Sequence, residues 1–334
     1  MQAVLDKLAS LGGKPLVSLT PEEARKQPTP ADAVKALMKE KDIPGPQEVA
    51  VVEDVEIKLS TVDLKGRVYR PQGDGPFPVI LYIHGGGWVI ADLDTYDATP
   101  RALANGAGAV VVSTHYRQAP EHKFPTAHND VYGAYQWVMN NAHRWGGNTK
   151  RIAVVGESAG GNMAAAVSTM AQAEGIPMPV HQVLVYPVAD TRMETPSYKE
   201  HADAKPLDAD MMKWFADHTF ASREDATDAK VALLQAETLE GLPSTTVITA
   251  QIDPLRSDGE MLAKKLEADG VTVTYRNYPG VTHEFFGMGA VVDEARQAMD
   301  LACAELRAAF AKETPPVAKP AVGPATETSP KPEA

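Results

Sequence analysis

A rhythm that begins near residue 78 constrains this chain most. Short apolar runs alternate with segments of helical spacing. "PVILYI" (78–83), "AVVVST" (109–114), "RIAVV" (151–155), "HQVLVYP" (181–187), "TTVITA" (245–250) and "TVTYRNY" (272–278) read as strands. Residues 98–108, 129–142, 160–175, 257–270 and 292–310 read as helices between and after them. Strands that are apolar throughout have to be covered on both faces, and strands joined through helices run parallel. The expected fold class is therefore α/β, with a mostly parallel central sheet and helices on both faces. Residues 54–70 alternate apolar and polar, which predicts a strand pair near a sheet edge, stopped at Pro71.

Two segments stand outside the rhythm. Residues 1–50 lean helical and are broken by "PTP" and "PGP"; residues 188–240 are polar and helix-leaning, with no clear strand. Both are expected to pack over one end of the sheet, leaving 51–187 and 241–311 as the sheet domain. Residues 312–334 are rich in Pro and Ala with almost nothing to bury, so a disordered tail is expected there. The net charge of −12 is spread along the chain and gives no basic face for nucleic acid. The single cysteine, Cys303, excludes an intrachain disulfide. With no basic region ahead of an apolar run at the N-terminus, a cytoplasmic location is expected. No apolar run is long enough to span a bilayer. No H-E-x-x-H, C-x-x-C or EF-hand spacing occurs, and no G-x-G-x-x-G with a following acid occupies the first βα unit. Neither a metal nor a cofactor is expected.

Candidate chemistry starts at "GESAGGN" (156–162). A G-x-S-x-G match arises by chance roughly 0.1 times in such a chain, so the pentapeptide alone is weak. Its position between strand and helix strengthens it, because a sharp turn there pushes the Ser158 hydroxyl out at the strand's carboxyl end. A neutral serine needs a base, a group that orients the base, and donors for an oxyanion. "HGGG" (84–87), straight after a strand, can turn backbone N–H groups toward one point, and its chance expectation is about 0.004. Ala159, next to the serine, supplies a further N–H. In nucleophile-elbow enzymes the order is serine, acid, histidine. Asp253 follows a strand directly and is barred from continuing it by Pro254; His283 follows the last strand and a Pro-Gly turn. His122 and His128 precede the serine, and His181 begins a strand. Asp258 belongs to the first turn of a helix, and Glu284, adjacent to His283, is expected to point away from it.

"HGGGW" (84–88), "YRQAPEHKFP" (116–125), "GESAGGN" (156–162), "DPLRSDGE" (253–260) and "GVTHEFF" (280–286) together closely resemble the hormone-sensitive-lipase-like branch of the α/β-hydrolases, bacterial family IV. The resemblance spans residues 50–311. It implies a carboxylesterase of small-molecule, short-acyl esters, with a helical cap formed by residues 1–50 and 188–240. By matching positions it makes Ser158 the nucleophile, His283 the base, Asp253 the acid, and Gly85, Gly86 and Ala159 the oxyanion-hole donors. Trp88, beside the glycine loop, is expected to wall the substrate pocket, with core packing as the alternative. The chain departs from the family pattern at Gln118, where leucine is usual, and at Glu157, where Asp or Thr is commoner. Glu157 is expected to affect acidity or substrate fit near the serine. The resemblance further implies a homodimer through helices near the end of the sheet domain. The same triad could instead cleave amides or lactams. Related receptors that bind ligands without hydrolysis typically lose the histidine present here.

Overall fold

The computed structural model describes residues 1–312. The expected disordered tail lies outside them, apart from its first residue, Lys312. Eight strands form one sheet: β1 (Val51–Lys58), β2 (Asp63–Arg70), β3 (Phe77–Ile83), β4 (Val110–Thr114), β5 (Gly147–Glu157), β6 (His181–Val185), β7 (Ser244–Ile252) and β8 (Val273–Thr282). Their order is β1-β2-β4-β3-β5-β6-β7-β8. β3 to β8 run parallel, while β2 pairs antiparallel with both β1 and β4. The helices are α1 (Gln2–Ser10), α2 (Pro21–Ala24), α3 (Pro30–Glu40), α4 (Ala98–Ala107), α5 (Thr126–Asn141), α6 (Ala159–Glu174), α7 (Pro196–Glu200), α8 (Ala209–Thr219), α9 (Arg223–Thr227), α10 (Arg256–Ala268) and α11 (Asp293–Ala311).

Side chains alternate across a strand, so the apolar runs feed two cores. Val79, Leu81 and Ile83 face one, with Val131 of α5, Met163 of α6 and Leu262 of α10. Ile80 and Tyr82 face the other, with Leu103 of α4 and Leu306 of α11. The split follows from connection handedness. The chain leaves β3 toward β4, then crosses back to β5 on the far side. A right-handed crossover that reverses direction lands its helix on the opposite face. The reversal also makes a switch point between β3 and β5, where a crevice opens beyond the strand ends.

The two largest boundary differences from the sequence reading lie in β5 and β8. β5 begins at Gly147 rather than at Arg151, because its polar first residues pair only through Gly147 before an irregularity restores register at Ile152. β8 runs through Pro279 and Gly280 to Thr282, with no Pro-Gly turn. A proline is tolerated because β8 is an edge strand, and the register shift between Ala250 and Ile252 takes up the misfit. The "PTP" break is a helix start: Pro30 is the first residue of α3, and Thr29 and Asp32 cap each other reciprocally. Residues 188–240 contain α7, α8, α9 and a short 3-10 turn, and no strand.

Candidate active site

Ser158 sits between the last residue of β5 and the first of α6, with φ 58° and ψ −119°. That conformation costs a non-glycine residue about 1–3 kcal/mol and persists only where surroundings enforce it. Here the enforcement is steric. A Cβ on Gly156 would lie 2.1 Å from the Gly160 oxygen, and one on Gly160 would lie 2.1 Å from the Ile83 oxygen. The two glycines let α6 start directly against β3 and β5. Ser158 is 5% exposed and borders a cleft of about 1280 Å³ at the carboxyl ends of the strands.

The glycine loop leaves β3 beside this serine. A Cβ on Gly85 would lie 3.2 Å from that of Ser158, so loop and elbow touch. Gly86 has φ 94°, and Ile90 N–H donates to its carbonyl at 2.9 Å, closing a tight turn. Ala159 is the first residue of α6, where N–H groups have no partner within the helix. Beneath the loop, His84 Nε2 meets His115 Nδ1 at 3.1 Å and the Tyr116 hydroxyl donates to the Gly85 carbonyl at 2.9 Å. Burial pushes His84 down to about 3, so it is neutral.

Asp253 follows β7 and His283 follows β8, adjacent parallel strands. His283 Nδ1 lies 2.7 Å from Asp253 Oδ2, and Nε2 lies 2.9 Å from Ser158 Oγ. With Nδ1–H donated to the carboxylate, Nε2 is left to accept the serine proton. The other Asp253 oxygen accepts the Leu255 N–H at 2.8 Å. Burial opposes charge on His283, but Asp253, Glu284 and Glu157 outweigh it and raise its pKa above the usual value.

The rival residues lie elsewhere. His128 is buried against Asn162, and His181 lies between Ser244 and Thr246. Asp258 accepts from Thr195 at 2.8 Å, in the first turn of α10. Glu284 corrects an expectation. Its φ of 69° turns the side chain back, so that Oε1 is 3.9 Å from His283 Nε2 and the carboxylate borders the cleft. Glu157 does not line the cleft. Strand alternation carries it to the opposite face from α6, where it is 1% exposed and accepts from the hydroxyls of Tyr82 and Tyr186. Burial, then the Glu284 charge, pushes its pKa up to about 7. Trp88 borders the cleft yet is 3% exposed, packed on His128 and Phe220. Tyr96, which donates to both Glu284 oxygens, and Arg25, which holds the Val89 and Ala119 carbonyls, have no local sequence signal. Among the described residues, no cluster of three or more His, Cys, Asp or Glu could hold a metal ion.

A mostly parallel sheet with a strained strand-to-helix serine, an acid and a histidine at successive strand ends defines an α/β-hydrolase. Residues 80–287 match the model of a family described as having the alpha/beta hydrolase fold. The carboxylesterase NlhH of Mycobacterium tuberculosis is 40% identical over 253 residues, covering 74% of this chain and 79% of the relative. An ethyl acetate hydrolase of Pseudomonas putida is 34% identical over 251 residues, covering 73% and 79%. An esterase of Pyrobaculum calidifontis superimposes with a TM-score of 0.83 at 36% identity, covering 90% of this chain and 97% of that one. The chain belongs to the hormone-sensitive-lipase-like branch of the α/β-hydrolase family and is a carboxylic ester hydrolase.

Proposed function

We propose that the chain hydrolyses short-acyl esters through Ser158, His283 and Asp253. His283 Nε2 takes the Ser158 proton as Oγ attacks the ester carbonyl. Asp253 holds the imidazole tautomer and stabilises its charged form. The Gly85, Gly86 and Ala159 amides stabilise the tetrahedral oxyanion, His283 protonates the leaving alcohol, and water then releases the acid. The observation that carries this reading is the unbroken run from Asp253 to His283 to Ser158, at 2.7 and 2.9 Å, opening into the cleft.

Residues 1–50 and 188–240 form a cap in this reading. Leu207, Met212 and Phe215 border the cleft from the second segment, and a Cβ on Gly87 would lie 2.3 Å from the Phe215 ring. Such crowding beside the glycine loop, and the Pseudomonas relative named for ethyl acetate, support short acyl groups. A cytoplasmic location fits the lone buried Cys303. In the described residues no helix is long and apolar enough to cross a membrane.

The test is a p-nitrophenyl ester series from acetate to decanoate, on wild type and Ser158→Ala. Wild-type kcat/KM should peak at short chains and fall sharply by decanoate. Ser158→Ala should lose at least about 10³-fold at every length with an unchanged unfolding midpoint. Near-normal turnover in the variant rejects the assignment, and a long-chain optimum rejects the substrate class.

A further inference from the structure

The triad leaves one carboxyl group near the reacting nitrogen without a part in the proton transfers. Asp253 serves Nδ1 of His283. Glu284 Oε1 stands 3.9 Å from Nε2, the nitrogen that exchanges the proton with Ser158. That distance is too long for a direct hydrogen bond, and it is one that a single water, about 2.8–3.0 Å from each group, can bridge. The carboxylate is held there firmly. The Tyr96 hydroxyl shares its one proton between Oε1 at 2.7 Å and Oε2 at 2.8 Å, and a Cβ on Gly85 would lie only 2.6 Å from that hydroxyl. Glu284 also adopts left-handed backbone, φ 69°, which side chains rarely take without enforcement. Ser158, His283 and Glu284 all border the same cleft.

We propose that Glu284 positions the water that deacylates the enzyme, an inference that rests on the ester-hydrolase mechanism above. A carboxylate oxygen accepts one O–H of the water while the other O–H points at Nε2. As the water oxygen bonds to the acyl carbon, Nε2 takes the second proton. The tetrahedral intermediate then expels Ser158 Oγ, breaking the acyl C–O bond, and Oγ recovers the proton from Nε2. Glu284 ends as it began. The device needs an acceptor with two O–H groups. An alcohol has one, which it must give to His283, so it gains nothing from the carboxylate.

Partitioning of the acyl-enzyme tests this. Wild type, Glu284→Gln and Glu284→Ala turn over p-nitrophenyl butanoate at a fixed methanol concentration, and initial butanoate and methyl butanoate are quantified. The ratio is a property of the acyl-enzyme, so it does not depend on how much of a variant folds. Both variants should raise the methyl ester to acid ratio by roughly three- to tenfold, through slower hydrolysis. An unchanged ratio, with both products falling together or neither falling, overturns the proposal. If wild type forms neither product, the ester-hydrolase mechanism fails instead.

Discussion

At the carboxyl ends of β3 and β5, backbone meets backbone: the Gly160 position lies against the Ile83 oxygen and the Gly156 position against the Gly160 oxygen. The layer above the same strands is attached largely by side chains. Arg25, at the end of α2, reaches the Val89 and Ala119 carbonyls at 2.8 Å and pairs with Glu121, while Phe215 of α8 fills the space over Gly87. Backbone contact at close packing leaves no room for exchange of parts, whereas side-chain anchors can be altered one at a time. The strand ends should therefore govern the chemical step, and the layer above should govern which ester enters.

Asp253→Asn tests the first half most severely. It should lower kcat by about 10⁴-fold with little loss of stability, because the amide holds the wrong imidazole tautomer. Stopped-flow or steady-state p-nitrophenol release measures it. The acid limb of kcat/KM comes next. In the proposed mechanism His283 acts only when neutral, and its pKa is raised, so activity should disappear as pH falls through a midpoint above the ordinary 6.5. A midpoint at or below 6.5 contradicts the charge balance described for the site.

Glu157→Gln separates stability from chemistry within the strand-end region. The wild-type carboxyl titrates near 7 when folded, against an ordinary 4.5. The folded state thus binds the proton more tightly, and this contribution is fully present below 4.5 and lost as pH rises through about 7. Urea unfolding should show the variant gaining about 3 kcal/mol on wild type between pH 4.5 and 8, then no more. The smallest effect belongs to the layer above. Arg25→Ala should cost about 1 kcal/mol and change KM more than kcat, as read by the same unfolding curves and ester kinetics. A kcat loss as large as that of Asp253→Asn would erase the distinction between the two regions.

The strand-end region was also the more legible in sequence. Continuous β-branched runs such as Val110–Val112 read as doubly covered strands, and chain order together with a place directly after a strand brought Asp253 and His283 forward. What escaped reading depends on long-range geometry. The direction of Glu284 is decided by a positive φ and by Tyr96, 188 residues away in sequence. Pro279 looked like a turn because nothing local says that its strand lies at an edge. Glu157 looked like a pocket residue by adjacency to Ser158, although strand alternation sends it to the opposite face, toward Tyr82 and Tyr186.

The two margins of the sheet carry a consequence for self-association. One margin, β1, exposes Glu53, Asp54, Glu56 and Lys58; the other, β8, exposes Pro279. Charges and proline discourage a foreign strand from docking and continuing the ladder. Copies of this chain that meet at high concentration are thereby discouraged from sheet-to-sheet polymerisation.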